Sequence, residues 1–299
     1  MTPCRSATLG PLVAVLAWAG CSGASDPVGA DATTAVDAAP PVDGRALASP
    51  GTAALMELMR QRDRARYDQA VAAGVRFVPT ADGASFYAAW TPPGFDPATD
   101  GTIVTLHGHD GWASSSFAVW LPFATARGYA IIALQWWFGG GEAAADYYLP
   151  VELYPTLRRA LAEQGTATGR SLFEGFSRGA ANAYAVEAMD RADPAPAFLI
   201  AVANAGGAMP DFPPNAEIDA GRYGATPFRG AHWVLFCGGL DPEPELNGCP
   251  AMERSRTWIE AHGGAVERLI ADPTAGHGGF HMNPANANLA LDLYDAALR

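Results

Sequence analysis

With 299 residues, 49% of them hydrophobic and 17% charged, the chain has a globular composition, and the length beyond an atypical first 50 suffices for one sizeable domain with a full core. A formal net charge of −12 leaves no basic footprint for nucleic acid. All 19 basic residues are arginine, which excludes a Schiff-base lysine, a Ser-Lys dyad and a phosphate loop ending in lysine.

In chain order, Arg5 is followed by the apolar run Leu9 to Ala19, the pattern of an export signal too short to span a membrane. The ending Ala19-Gly20-Cys21 resembles a bacterial lipobox, which implies a signal over 1–20, lipidation of Cys21 and a lipid-anchored envelope protein. Ser22 after the cysteine resembles outer-membrane sorting, and ordinary secretion or a periplasmic location is the alternative. The rest of 21–50 is Ala, Pro, Asp, Gly, Ser and Thr with little to bury, a disordered tether before a domain at 51–299.

That domain opens with a helical pattern from Thr52 to Ala73. Strands are expected at Val75–Val78, Ser85–Trp90, Thr102–Leu106, Tyr129–Leu134, Ser171–Glu174, Ala197–Val202, Trp233–Cys237 and Val266–Ile270. Between and after them the spacing predicts helices at Ser115–Arg127, Val151–Gln164, Ala180–Met189, Ala251–His262 and Pro284–Leu298. A Gly- and Pro-rich segment, Asn204 to Ala231, is too short for a large lid domain but long enough to line a cleft. Such alternation predicts an α/β fold with a mostly parallel sheet covered by helices on both faces, and ligands bind such sheets at the carboxyl ends of the strands.

Three motifs fall at those ends. Gly175-Phe176-Ser177-Arg178-Gly179 lies between a strand and a helix, where a G-x-S-x-G turn holds a serine hydroxyl out for attack. Asp241 follows the Trp233–Cys237 strand, and His277 follows the Val266–Ile270 strand. Asp272 or Asp110 is an alternative acid and His281 an alternative base. With Cys4 in the signal and Cys21 lipidated, Cys237 and Cys249 remain; a disulfide between them would bracket Asp241, and two buried thiols are the alternative.

The order serine, aspartate, histidine, each after its own strand, resembles the α/β-hydrolase superfamily, particularly its secreted esterases, depolymerase-like and dienelactone-hydrolase-like members with a small lid or none. The resemblance implies a serine hydrolase of carboxylic esters working through an acyl-enzyme, with Ser177 as nucleophile, His277 as base and Asp241 as its orienting acid. His107-Gly108-His109-Asp110-Gly111 resembles the family's oxyanion loop, so backbone N–H groups of His109 (or Gly108) and Arg178 are the expected oxyanion donors. Trp112, Trp136 and Trp137 lie after strand ends and are candidates for an apolar or aromatic acyl pocket or a stacking platform for sugars, with a place in the core the alternative for each; the expected substrate is a small or polymeric ester. No cofactor and no metal are called for. Two rival readings are a catalytically inactive hydrolase-like lipoprotein that binds a ligand or partner, and a metal-dependent hydrolase built on His107 and His109.

Overall fold

The computed structural model describes residues 48–299. The expected signal, the lipidated Cys21 and residues 22–47 of the tether lie outside them. Two helices come first, α1 (Thr52–Arg62) and α2 (Arg64–Ala72), where the periodicity predicts one. The break is at Asp63, whose backbone leaves the helical region while its carboxylate accepts hydrogen bonds from the Ser114 and Ser115 hydroxyls at 2.6 and 2.7 Å.

Strands β1 (Arg76–Pro79), β2 (Phe86–Trp90) and β3 (Thr102–Leu106) precede helix α3 (Ala113–Arg127) and strand β4 (Ala130–Leu134). Helix α4 (Pro150–Glu163), strand β5 (Ser171–Phe176), helix α5 (Arg178–Ala192) and strand β6 (Phe198–Asn204) follow. A short helix α6 (Pro213–Asp219) lies in the Gly- and Pro-rich segment, before strand β7 (His232–Gly238), helix α7 (Cys249–Ala261) and strand β8 (Ala265–Asp272). The chain closes with α8 (Gly279–Met282) and α9 (Pro284–Leu298).

All eight strands form one sheet in the order β1-β2-β4-β3-β5-β6-β7-β8. β1 and β2 are antiparallel to their neighbours, and every pairing from β4 to β8 is parallel. Continuous burial of β3 and β4 explains their unbroken apolar runs, since a strand covered on both faces has no solvated side to alternate with. Side chains along β7 show both faces being used. Val234 and Phe236 join one buried cluster, whereas Trp233, Leu235 and Cys237 join a second with Tyr184 of α5 and Met252 and Ile259 of α7. The period of two places successive residues on opposite faces, so each face has its own core.

This topology sets the chemistry at one edge. The parallel strands β3, β5, β7 and β8 all end on the same side, and the loops after them converge over the carboxyl end of β5.

Candidate active site

Ser177 occupies the turn from β5 into α5 at φ 54°, in the left-handed region that few non-glycine residues adopt. Two glycines make so sharp a turn possible. A Cβ on Gly175 would come within 2.4 Å of the Gly179 carbonyl oxygen, and one on Gly179 within 2.6 Å of the Leu106 carbonyl oxygen. The Ser177 backbone N–H donates to the carbonyl of Asn204 at 2.8 Å, tying the turn to the end of β6. Held this way, the serine side chain faces out over the sheet edge.

The loops after β7 and β8 supply the partners. His277 Nε2 lies 2.8 Å from Ser177 Oγ, and His277 Nδ1 lies 2.7 Å from Asp241 Oδ2. Asp241 is buried, and its other oxygen accepts the backbone N–H of Glu243 at 2.9 Å. This arrangement favours the tautomer with the proton on Nδ1, leaving Nε2 to accept from the serine hydroxyl. A disulfide joins Cys237, the penultimate residue of β7, to Cys249, the first of α7, and closes the loop that carries Asp241.

The alternative residues have other employment. Asp272 accepts from the side-chain amides of Asn283 and Asn286 at 2.8 and 2.9 Å and from the Thr274 hydroxyl at 2.8 Å. These contacts anchor the start of α9 and hold its carboxyl below the usual range. His281 is packed edge-on against Trp120, with ring centroids 4.6 Å apart, and burial pushes its imidazole down to about 3. Asp110 is exposed, at φ 52° in the loop after β3, with its carboxylate 3.7 Å from His109.

The two histidines of that loop part company. His107 is buried and stacked on Trp136; its Nδ1–H donates to the Gly108 carbonyl at 2.8 Å, and its Nε2 accepts the Trp136 backbone N–H at 3.4 Å. Burial, opposed only by the Gly108 carbonyl, lowers it to about 4. With both ring nitrogens engaged in the core, His107 cannot join His109 in holding a metal, which corrects the metal reading as first framed. A different set, His109, Asp110 and Glu142, brings ligand atoms within 4.8 Å of one another at the surface. There Arg178 already sets a guanidinium 2.9 Å from Glu142, a charge that opposes a cation.

An open cleft of about 740 Å³ runs past Ser177 and His277 and includes His109 and Arg178 in its lining. Its apolar lining includes Phe176, Met209, Phe212 and Leu246, and Asp211 and Glu243 are among its other lining residues. Arg178 is the first residue of α5, whose leading N–H groups have no intrahelical acceptor and add the positive end of the helix.

Trp112, Trp136 and Trp137 are not among the lining residues, which corrects the expectation of an aromatic pocket. All three are buried. Trp136 donates its indole N–H to the His107 carbonyl at 2.9 Å, Trp137 donates to the Gly141 carbonyl at 3.1 Å, and Trp112 packs on Trp137 at 5.2 Å. The rings are the foundation of the 135–149 loop rather than the wall of the cleft. Sequence reasoning missed Met209, Phe212 and Leu246, which are scattered single apolar residues in loops. It missed Glu142 as well, a lone acid after three glycines; the length of the 204–231 segment was a signal for Met209 and Phe212 alone.

Glu142 contacts two expected site residues, with its Oε2 2.5 Å from His109 Nε2 and 2.9 Å from Arg178 Nη1. Desolvation pushes the Glu142 carboxyl up, but these two partners outweigh it and hold the group below the usual carboxylate range.

No protein-family model matches the chain, and no curated protein matches it in sequence. Its fold does have solved counterparts. An esterase from Pyrobaculum calidifontis superposes with a TM-score of 0.55 at 12% identity, over 82% of this chain and 93% of that one. The esterase LipW from Mycobacterium marinum gives 0.53 at 18% identity over 82% and 88%. Thermogutta terrifontis esterase 2, solved with butyrate bound, gives 0.52 at 16% identity over 75% and 92%. At such identities the likeness establishes architecture, and the chain has the α/β-hydrolase fold.

Proposed function

We propose that the protein is a serine hydrolase of carboxylic esters that works through an acyl-enzyme. The observation that carries this reading is the unbroken relay from Ser177 Oγ through the His277 ring to a buried Asp241 carboxylate, with links of 2.8 and 2.7 Å, opening on a cleft. Esterase neighbours of the same fold support the choice of ester over other acyl compounds.

Each residue then has a part in the chemistry. His277 Nε2 takes the Ser177 proton as Oγ attacks the acyl carbon, because an unassisted serine hydroxyl is a weak nucleophile at neutral pH. Asp241 holds the imidazole in orientation and stabilises the imidazolium, which next protonates the leaving alcohol. The acyl group is left on Ser177 until a water, deprotonated by His277, hydrolyses it. Backbone N–H groups of Arg178 and His109 receive the oxyanion in both tetrahedral intermediates. The apolar Phe176, Met209, Phe212 and Leu246 suit an uncharged acyl or alcohol group of modest size.

Export and a lipid anchor on Cys21 belong to the same proposal, supported by the N-terminal sequence and by a disulfide that an oxidising compartment permits. Among the described residues no helix is long and apolar enough to cross a membrane.

The test is covalent labelling with a fluorophosphonate followed by peptide mapping, beside turnover of p-nitrophenyl esters of increasing chain length. The adduct is expected on Ser177, and Ser177→Ala should lower kcat/KM by at least about 10⁴-fold. Undiminished turnover in Ser177→Ala would refute the serine mechanism.

A further inference from the structure

Glu142 takes no part in the relay, yet its carboxylate joins the side chains of the two residues read above as oxyanion donors. A single oxygen, Oε2, meets His109 Nε2 at 2.5 Å and Arg178 Nη1 at 2.9 Å, and the Glu142 backbone carbonyl accepts from Arg178 Nη2 at 3.5 Å. The Arg178 guanidinium lies 3.9 Å above the Tyr147 ring centroid, so the far end of the same loop grips it as well. Resting on the serine-hydrolase reading, we propose that Glu142 is a positioning residue that sets the spacing of the oxyanion donors by tying the 107–111 loop and the start of α5 to one carboxylate.

A positioning residue must itself be held. Gly139 and Gly141, both at positive φ, let the 135–149 loop fold back on itself, yet its tip is fastened on every side. Trp137 pairs across the loop with Tyr147 as an isolated β-bridge, and the Phe138 N–H donates to the Asp146 carbonyl at 2.9 Å. The Trp137 indole holds the Gly141 carbonyl at 3.1 Å, the Ala143 N–H donates to the Asp146 carboxylate at 2.7 Å, and Arg62 holds the Gly139 carbonyl at 2.8 Å. Glu142 therefore projects from a braced tip. His109, by contrast, is half exposed, and the next residue, Asp110, has its backbone in the left-handed region and its carboxylate 3.7 Å from the His109 ring.

Oxyanion donors act only when their hydrogens converge on the position the oxygen takes in the transition state, about 2.7–3.1 Å away. Small displacements of such groups cost rate steeply. The sign of the effect separates positioning from charge. A bare carboxylate near a developing oxyanion opposes it, so a purely electrostatic role predicts faster turnover when Glu142 is removed. Positioning predicts slower turnover.

The experiment measures steady-state hydrolysis of p-nitrophenyl butyrate by the wild type, Glu142→Ala and Glu142→Gln. The expected result for Glu142→Ala is kcat lower by about tenfold, KM within about twofold, and affinity for an oxyanion-mimicking trifluoromethyl ketone weakened by the same factor as kcat. Glu142→Gln, which keeps an acceptor oxygen, should recover part of the loss. Since Glu142 is more than half exposed, the thermal midpoint should stay put, which distinguishes positioning from lost stability. An unchanged or raised kcat in Glu142→Ala overturns the proposal. So does a comparable loss in the wild type on adding EDTA that manganese or calcium reverses, because the cluster would then be a cation site. Fluorophosphonate labelling of the wild type keeps the two readings apart: an adduct on Ser177 with unchanged kcat in Glu142→Ala defeats the positioning role alone, whereas no adduct defeats the serine reading and this role with it.

Discussion

Two loop regions flank the nucleophile, and their compositions mislead about their roles. The 135–149 loop after β4 carries Trp136, Trp137, Phe138, Tyr147 and Tyr148, all buried, and it reaches the expected oxyanion residues through the Glu142 carboxylate and the face of Tyr147. The segment after β6 has few aromatic residues and many glycines and prolines, yet Met209 and Phe212 form part of the cleft wall. A dense set of rings gains more by packing on its neighbours than by waiting for a ligand; here Trp136 and Trp137 both pack on Tyr147, with centroids 5.0 and 6.4 Å away. Isolated apolar side chains on a short segment have no such neighbours and are left facing the groove. In this protein the aromatic-rich loop is packed into the interior, and the sparse apolar residues line the cleft.

That contrast can be broken most directly at Trp136. Trp136→Ala should destabilise the fold by about 3–5 kcal/mol, through lost packing and the lost hydrogen bond to His107. Chemical denaturation would measure it. If the variant instead keeps its stability and changes only its ester preference, the ring belongs to the pocket after all.

Acid provides a second test, of the buried aromatic packing around His107 and His281. His107 is neutral in the fold, with its value lowered to about 4, and His281 likewise at about 3. Each binds a proton more readily when the chain is unfolded, so the stability they contribute is full above about 6.5 and is lost as pH falls through 6.5 toward the folded values. Each should contribute a slope of up to about 1.4 kcal/mol per pH unit in that window. Denaturation midpoints between pH 7 and 4.5 should show the decline, and His281→Phe should remove part of the slope while leaving the His107 share. A flat profile in the wild type would mean that neither ring is buried as neutral imidazole.

The smallest effect is expected on the sparse wall. Phe212→Ala should raise KM about three- to tenfold for longer acyl chains, equivalent to about 1 kcal/mol, with kcat for the shortest ester and the thermal midpoint nearly unchanged. Equal KM values across the chain-length series would take Phe212 out of the binding surface.

Much of the architecture was legible in the sequence because it rests on local patterns. The unbroken apolar runs at Thr102–Leu106 and Ala130–Leu134 mark strands covered on both faces. The glycines around Ser177 mark a turn in which backbone replaces side chains, and contacts of 2.4 and 2.6 Å at a hypothetical Cβ explain why they are needed there. Placement after a strand also pointed to Asp241 and His277, since a parallel sheet delivers the ends of its strands to one edge. Tertiary packing alone decided the rest. Asp272 ends β8 and Asp241 follows β7; Asp272 is engaged by Asn283 and Asn286, whereas Asp241 meets His277. His107 and His109 are two residues apart, yet one is sealed behind Trp136 and the other meets Glu142, 33 positions along the chain. Composition records which side chains are present; burial and pairing depend on what the fold brings against them, and those neighbours come from distant parts of the chain.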